Sequence, residues 1–417
     1  MEKSVPYSRF RWVVLAAISI TTMCAAMIMI PFGPLMGVIA NDLGLDLGTA
    51  SFSFMGLHAL ATAGGSFVSP MVLKRFGLFP TFAGSLFVLS VVNASLPWIA
   101  HNLEIVAAIR IIEGLATAPI FVGFISVVTI WFPANQRGLA SGFQSVGVSL
   151  GIMCGVGIAP VLFEKCGTWQ VGIAWMSVIF ITALLILLAV HFYLETKPPA
   201  IMMAAETNDL QPDYYPRQIL RTPAFWVGAI VYSMGNWCLQ AFNDLTPGYF
   251  AVLPPIGVGF GPVIAGKLMM VVMFSGIVSS LLGGILGDKF GNRSIMILGH
   301  TLNTIFCTSV LFSLVYNNRL VLLVSLALAG TGTAFTQPQS LAFACKYFPP
   351  SVVSKVIGTW VGAGMLVGAG GVIVGSLALH ATGNYQLPII IVGLVGSVGL
   401  IAAIALRRLT TKKPVSA

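Results

Sequence analysis

The chain has 417 residues, of which 57% are hydrophobic and 8% charged, with a mean hydropathy of +0.95. Soluble globular chains carry about 25% charged residues, so lipid must cover this surface; a cytosolic enzyme, a disordered tail and a secreted disulfide scaffold are excluded. The net charge of +9, from 21 Lys+Arg against 12 Asp+Glu, is assigned to orientation in a membrane, because basic residues collect on the cytoplasmic side. No nucleic-acid partner is expected.

Residues 1–11 are polar and basic, with Lys3, Arg9 and Arg11. The apolar stretch from Trp12 to about Ala40 exceeds the roughly 7–15 residues of a signal-peptide core, and no A-x-A site closes it. It is expected to remain as a first membrane helix. A span needs about 20 mostly apolar residues. Runs between charged or turn-rich breaks give twelve: 12–38, 49–72, 78–99, 103–131, 138–163, 169–194, 223–250, 263–287, 294–316, 319–346, 355–378 and 385–406. Residues 1–194 form a first six-helix half. The polar, Pro-rich stretch 195–222 is a linker, and 223–417 form a second half with a short basic tail.

The halves repeat. Gly77 closes "LKRFGLF" after the second span, and Gly291 closes "GDKFGNR" after the eighth. Gly114 to Phe132-Pro133 spans the fourth as Gly330 to Phe348-Pro349 spans the tenth, and Pro31 matches Pro247. The offsets are 214–216 residues. Such repeats are a mark of secondary transporters. With the N-terminus inside, Lys74, Arg75, Arg137, Lys197, Lys289, Arg293, Lys346, Arg407 and Arg408 are all cytoplasmic, against Lys165 and Arg319 outside. Both termini are therefore expected on the cytoplasmic side of a cell inner membrane.

At this point the chain resembles the major facilitator superfamily over nearly its whole length. The resemblance implies an all-α membrane fold of twelve helices in two pseudo-symmetric halves. The family's loop motif G-x-x-x-D-R-x-G-R-R/K is matched in the second half by Gly284, Asp288, Lys289, Gly291 and Arg293. In the first half Arg75 and Gly77 remain, but Lys74 replaces the Asp and Leu78 an Arg. The fourth span resembles the family's R-x-x-x-G motif through Arg110, Glu113 and Gly114. The fifth departs from the antiporter motif: Val156 stands where Pro is expected after Gly155, and Pro160 is displaced.

Charges inside spans are costly, about 2.5–3.5 kcal/mol at mid-membrane on insertion scales, and so point to function. His58 lies at mid-depth on the second span and is read as a proton carrier or a cargo hydrogen-bonder, with a satisfied core histidine as the alternative. Arg110 and Glu113 share a helix face at i,i+3, and Leu326 and Ala329 stand at the equivalent positions of the second half. Arg110 is read as the anion-binding group and Glu113 as the proton-coupling carboxylate; a tie between helices is the alternative. Asp244 and Lys267, near the outer ends of adjacent spans, are read as a gate pair. Asn236, Gln240, Phe335 and Gln337 complete a polar and aromatic cavity.

The expected function is secondary active transport of a small solute by alternating access. The favoured cargo is a small monocarboxylate or other organic anion, carried with protons. A multidrug or metabolite exporter is the alternative. A copper or other soft-metal carrier using Met23, Cys24, Met27, Met29, Met269 and Met273 is a weaker one. The six cysteines show no CxxC spacing, so neither a disulfide nor a metal cluster is expected. No cofactor and no enzymatic constellation are expected, and the chain is read as a monomer.

Overall fold

The computed structural model describes residues 9–133, 136–196, 217–312 and 319–410; most of the expected linker, 197–216, lies outside them. The described regular structure is helical throughout. In chain order, α1 is Arg11–Met27, carried on by the short pieces Gly33–Leu35 and Met36–Asp42. Then come α2 (Leu47–Phe76), α3 (Leu78–Ile99), α4 (Leu103–Trp131), α5 (Arg137–Cys166) and α6 (Trp169–Thr196). The second group is α7 (Pro223–Ala251), α8 (Pro262–Phe290), α9 (Asn292–Phe312), α10 (Arg319–Tyr347), α11 (Pro350–Thr382) and α12 (Gln386–Thr410).

Ten of these helices are long and apolar enough to cross a bilayer. The other two of the expected twelve depart from that standard for separate reasons. The first span is not continuous: its helix stops after 17 residues and resumes only at Gly33. Pro31 has no N–H to donate, and Gly33 and Pro34 follow at once. The 29 residues of α7 are diluted by Ser233, Asn236, Gln240, Asn243, Asp244 and Thr246. These two helices face each other between the halves, where irregular or polar segments are tolerated because protein covers them.

The repeat reappears in the backbone. Gly77 ends α2 at φ 83°, and Gly291 ends α8 at φ 86°. Both turn the chain into the next helix through a conformation that a Cβ disfavours. Helices α4 and α10 are each 29 residues long. Glycines set the closest crossings. A Cβ on Gly151 of α5 would overlap the Met23 carbonyl of α1, and one on Gly330 of α10 the Val272 carbonyl of α8. Small residues let helix backbones approach where no hydrophobic force separates helix from lipid. Large apolar side chains such as Phe67, Trp98, Leu185, Leu282, Ile285 and Ile401 point outward, while Trp131, Trp169 and Trp360 are buried. The outward pattern fits a lipid-facing surface.

The ends of the hairpins define two faces. Lys74, Arg75, Lys289, Arg293, Lys346, Arg407 and Arg408 lie at the ends of helices on one, the basic face. The loops around Leu43–Asp46, Gly167 and Gly383 lie on the other, the far face.

Candidate functional site between the halves

The two irregular stretches of the first half meet at one side chain. The break in α1 frees carbonyls at Ile28 and Met29, and residues Phe52–Gly56 of α2 form a π-helical turn. Arg110 of α4 is buried against both. Its Nε donates to the Phe54 carbonyl, NH1 to the Ile28 carbonyl at 3.1 Å, and NH2 to the Met29 carbonyl at 3.3 Å. NH1 also pairs with Glu113 at 2.5 Å, and the guanidinium lies 4.8 Å from the Phe32 ring centroid. The other Glu113 oxygen accepts from Asn93 of α3 at 2.9 Å. A planar, five-donor cation suits several fixed acceptors at once. Arg110 therefore ties α1, α2 and α4 together, and Glu113 with Asn93 adds α3. The sequence correctly places Arg110 and Glu113 on one face. The structure engages them with helix carbonyls and each other, not with Asn236, Gln240 or Gln337. The sequence reading missed Asn93; a lone Asn in the middle of an apolar span was its available signal.

A small cavity separates this hub from the second half. Met29, Ile30, Met55, His58 and Ala59 line it from the first half, and Gln240, Asp244 and Val372 from the second. Its volume of about 20 Å³ holds roughly one water. His58 is buried, and its Nε2 has no hydrogen-bond partner. Asp244 is also buried: one carboxylate oxygen accepts from Ser51 at 3.2 Å and the other has no partner. One turn along α7 toward the basic face from Gln240, Asn236 accepts from Gln337 at 2.9 Å and donates to the Gly364 carbonyl at 2.5 Å. Gln240 lies against Gly368 of α11. Thus His58, Gln240 and Asp244 converge in one cavity, with the Asn236–Gln337 pair adjoining.

Two expectations are not met by this geometry. Lys267 is exposed and makes no ion pair with Asp244. Equal depth on adjacent helices did not bring the pair together: Asp244 faces α2 and α11, while Lys267 points away from the interface. Phe335 packs against Gly283 of α8 and Gly299 of α9. It therefore fills a contact within the second half, away from its sequence neighbour Gln337.

At the far face the halves are joined by groups that the sequence reading passed over. Ser51 Oγ lies 2.8 Å from Ser376 Oγ of α11. Asp46 caps the start of α2, accepting from the Gly48 and Thr49 amides at 3.0 Å each, and its Oδ1 is 2.9 Å from His380 Nδ1. Partial burial works to raise the Asp46 pKa, but the Thr49 hydroxyl and amide and the His380 ring hold the carboxyl well below the usual range. Gly33 abuts the Pro247 ring, and Gly48 lies against the His380 backbone. The D-x-x-T spacing Asp46–Thr49 was a legible helix start; the serines carried no signal. Further along α2 and α11 toward the basic face, Ser66 Oγ meets Met365 Sδ at 3.6 Å. The far face is the closed one.

The loop motif has a similar surprise. Asp288 pairs with Lys346 of α10 at 2.8 Å, while Lys289 and Arg293 sit over Phe290 and Phe343. In the first half, Lys74 and Ile130 stand at the positions equivalent to Asp288 and Lys346, so both members of that ion pair are replaced together. Arg75 there lies over the Phe76 ring.

Among the described residues, twelve principal helices in two repeated halves, with polar side chains from both meeting at a cavity closed at one face, define a multi-pass secondary transporter for small molecules. The family model described as "Major Facilitator Superfamily" matches residues 18–278 and 248–417; the chain belongs to this superfamily. It is 26% identical over 368 residues to the "Sialic acid transporter NanX" of Escherichia coli (strain K12), covering 85% of this chain and 83% of that one. It is 24% identical over 281 residues to the "Probable galactarate/D-glucarate transporter GudP" of Bacillus subtilis (strain 168), covering 60% and 58%. In fold it is similar, at a TM-score of 0.71 and 12% identity, to a bacterial homologue of the human lysosomal transporter Spinster, "in Inward-facing And Unoccupied Conformation". That match covers 99% of this chain and 100% of the other.

Proposed function

We propose that the chain imports a small hydroxylated carboxylate together with protons, by alternating access across a cell inner membrane, as a monomer with both termini cytoplasmic. The observation that carries this reading is the convergence of His58, Gln240 and Asp244 from both halves on one cavity, closed at the far face. The cavity holds about one water, so cargo enters only when the halves part.

The side chains suit a hydroxylated acid. The His58 Nε2, free of partners, can meet a carboxylate. The carboxamides of Gln240, Asn236 and Gln337 offer donors and acceptors to hydroxyls. The sugar-acid cargoes named for the relatives have this composition. Sialic acids carry one carboxylate and galactarate two; a single carboxylate is favoured here because Arg110 is already neutralised by Glu113. Moving an anion inward against the membrane potential costs about 2.3 kcal/mol per charge per 100 mV. A proton travelling with it offsets that cost, which favours symport.

The test is a thermal-stability screen of the purified protein against sialic acid, galactarate, lactate, glucose and ethidium. Cargo that binds the folded state raises its melting temperature, by about 2.7 kcal/mol of stability at a hundredfold excess over Kd. Stabilisation by sialic acid is the expected result. Stabilisation by ethidium alone would replace the reading with that of an exporter.

A further inference from the structure

Ser51, Asp244 and Ser376 come from α2, α7 and α11 and are all buried. Three oxygen–oxygen contacts join them in a row. Asp244 Oδ2 is 3.2 Å from Ser51 Oγ, Ser51 Oγ is 2.8 Å from Ser376 Oγ, and Ser376 Oγ is 2.9 Å from the Val372 carbonyl oxygen. Each contact needs one proton between its two oxygens. A carbonyl supplies none, and each serine supplies one. If Asp244 is ionised, two protons serve three contacts, and one pair of oxygens faces without a hydrogen between. If Asp244 is protonated, the count closes: its O–H donates to Ser51, Ser51 donates to Ser376, and Ser376 donates to the Val372 carbonyl.

We propose that Asp244 is the group that takes up the coupling proton, and that its protonation completes this row and latches the far face shut. The proposal deepens the reading of the chain as a proton symporter and rests on it. With the far face open, Asp244 meets outside water and its carboxylate gains a proton from it, forming the O–H bond. This removes a negative charge from the cavity where the cargo carboxylate must sit beside His58 and Gln240. Two carboxylates in one small site resist being ionised together. Proton and anion therefore load together, and the completed row closes the halves behind them. Once the basic side opens, the proton leaves through the cavity between Asp244 and His58 to the water on that side. The ionised Asp244 then leaves the row one proton short, and the far face is free to reopen.

The surroundings leave Asp244 without a competing partner. No cation pairs with it among the described residues. The titratable groups facing it are His58 of α2 across the cavity and Tyr385 just before α12, whose hydroxyl also has no partner. On α11, His380 lies one turn beyond Ser376 and is held by Asp46. From the break after α1 come Met29 and Ile30, which do not titrate, and from α8 the charged Lys267 is exposed. Glu113, the carboxylate that the sequence favoured for coupling, is instead fixed by Arg110 and Asn93.

The test uses the full-length protein in lipid nanodiscs without cargo, its native cysteines replaced. Spin labels are placed at Asn41→Cys and Ala381→Cys, exposed positions at the far ends of the two halves. Electron-spin distance measurements then follow pH. The short, closed distance is expected to dominate at low pH and to decline as pH rises. In Asp244→Asn the amide donates to Ser51 permanently, and the short distance is expected at every pH. Ser51→Ala cuts the row and should diminish both the closed population and its pH response. His380→Gln should keep the wild-type response. An Asp244→Asn protein that responds to pH as the wild type does overturns the proposal. If that variant fails to fold, an unchanged pH response in both Ser51→Ala and Ser376→Ala overturns it equally. The measurement needs no cargo. Failure of the stability screen with every carboxylate would defeat the cargo reading, and a lost distance response would defeat the latch.

Discussion

Removing the Arg110 side chain tests whether the guanidinium is a structural tie or a cargo ligand. Arg110→Ala strands the buried Glu113, and breaking a buried ion pair from one side costs about 3–5 kcal/mol. It also leaves the carbonyls of Ile28, Met29 and Phe54 without their donor. Each such loss costs about 1–3 kcal/mol unless water enters. Even at the low ends the sum reaches about 6 kcal/mol, against a typical native stability of about 5–15 kcal/mol. The substitution should thus leave little folded protein. Arg110→Lys keeps the charge for Glu113 but has neither the span nor the planar fork for all its partners. Losing two carbonyl contacts puts its cost at about 2–6 kcal/mol. The double variant Arg110→Leu/Glu113→Leu removes both charges, so it should unfold less readily than Arg110→Ala. The assay is equilibrium unfolding in mixed micelles, followed by tryptophan fluorescence. An Arg110→Ala protein within about 1 kcal/mol of wild type, the scale of an ordinary substitution, would refute the tie. Normal unfolding of Arg110→Lys with abolished uptake would return Arg110 to the role of cargo ligand.

Gly114→Ala places a Cβ against the His58 carbonyl and the Ala61 side chain, forcing α4 and α2 apart. Overpacking of this kind costs about 1–3 kcal/mol, so the same unfolding assay should show a loss; an unchanged midpoint would contradict the close crossing. The Asp46 cap should be pH-dependent in a defined direction. Its carboxyl is held below the usual range in the folded state, so its contribution is present above the unfolded value of about 3.9 and is lost as pH falls through the folded one. Asp46→Asn keeps a capping side chain without the charge. It should therefore be less stable than wild type at neutral pH, and the difference should shrink as the pH falls below about 4. A gap that stays constant down to acid pH would count against the cap's charge.

Much of the fold could be read because lipid imposes a simple rule. Apolar runs of sufficient length must be helices, and Gly77 and Gly291 marked equivalent turns in both halves. The interruption of α1 was visible only as Pro31, Gly33 and Pro34, and the π-helical turn of α2 left no compositional trace. Those two irregularities decide what Arg110 touches. The pairing of Arg110 with Glu113 was legible from their spacing, whereas the carbonyls it serves were not. Asp244 stood out as a charge in a membrane helix, but charge drew attention to Lys267, while its partner is Ser51, 193 residues away in sequence, which in turn meets Ser376. Neutral hydroxyls are common in such helices, and only the packing of α2 and α11 on α7 distinguishes these two.

The central claim is that a proton gradient drives anion entry through this chain. It is tested most directly in proteoliposomes loaded at neutral pH and moved to acidic buffer containing radiolabelled sialic acid. Accumulation above the external concentration is expected, collapsing when a protonophore abolishes the gradient and absent from Asp244→Asn, whose far face stays latched. Uptake that merely equilibrates, with no response to the gradient or the protonophore, would contradict the account.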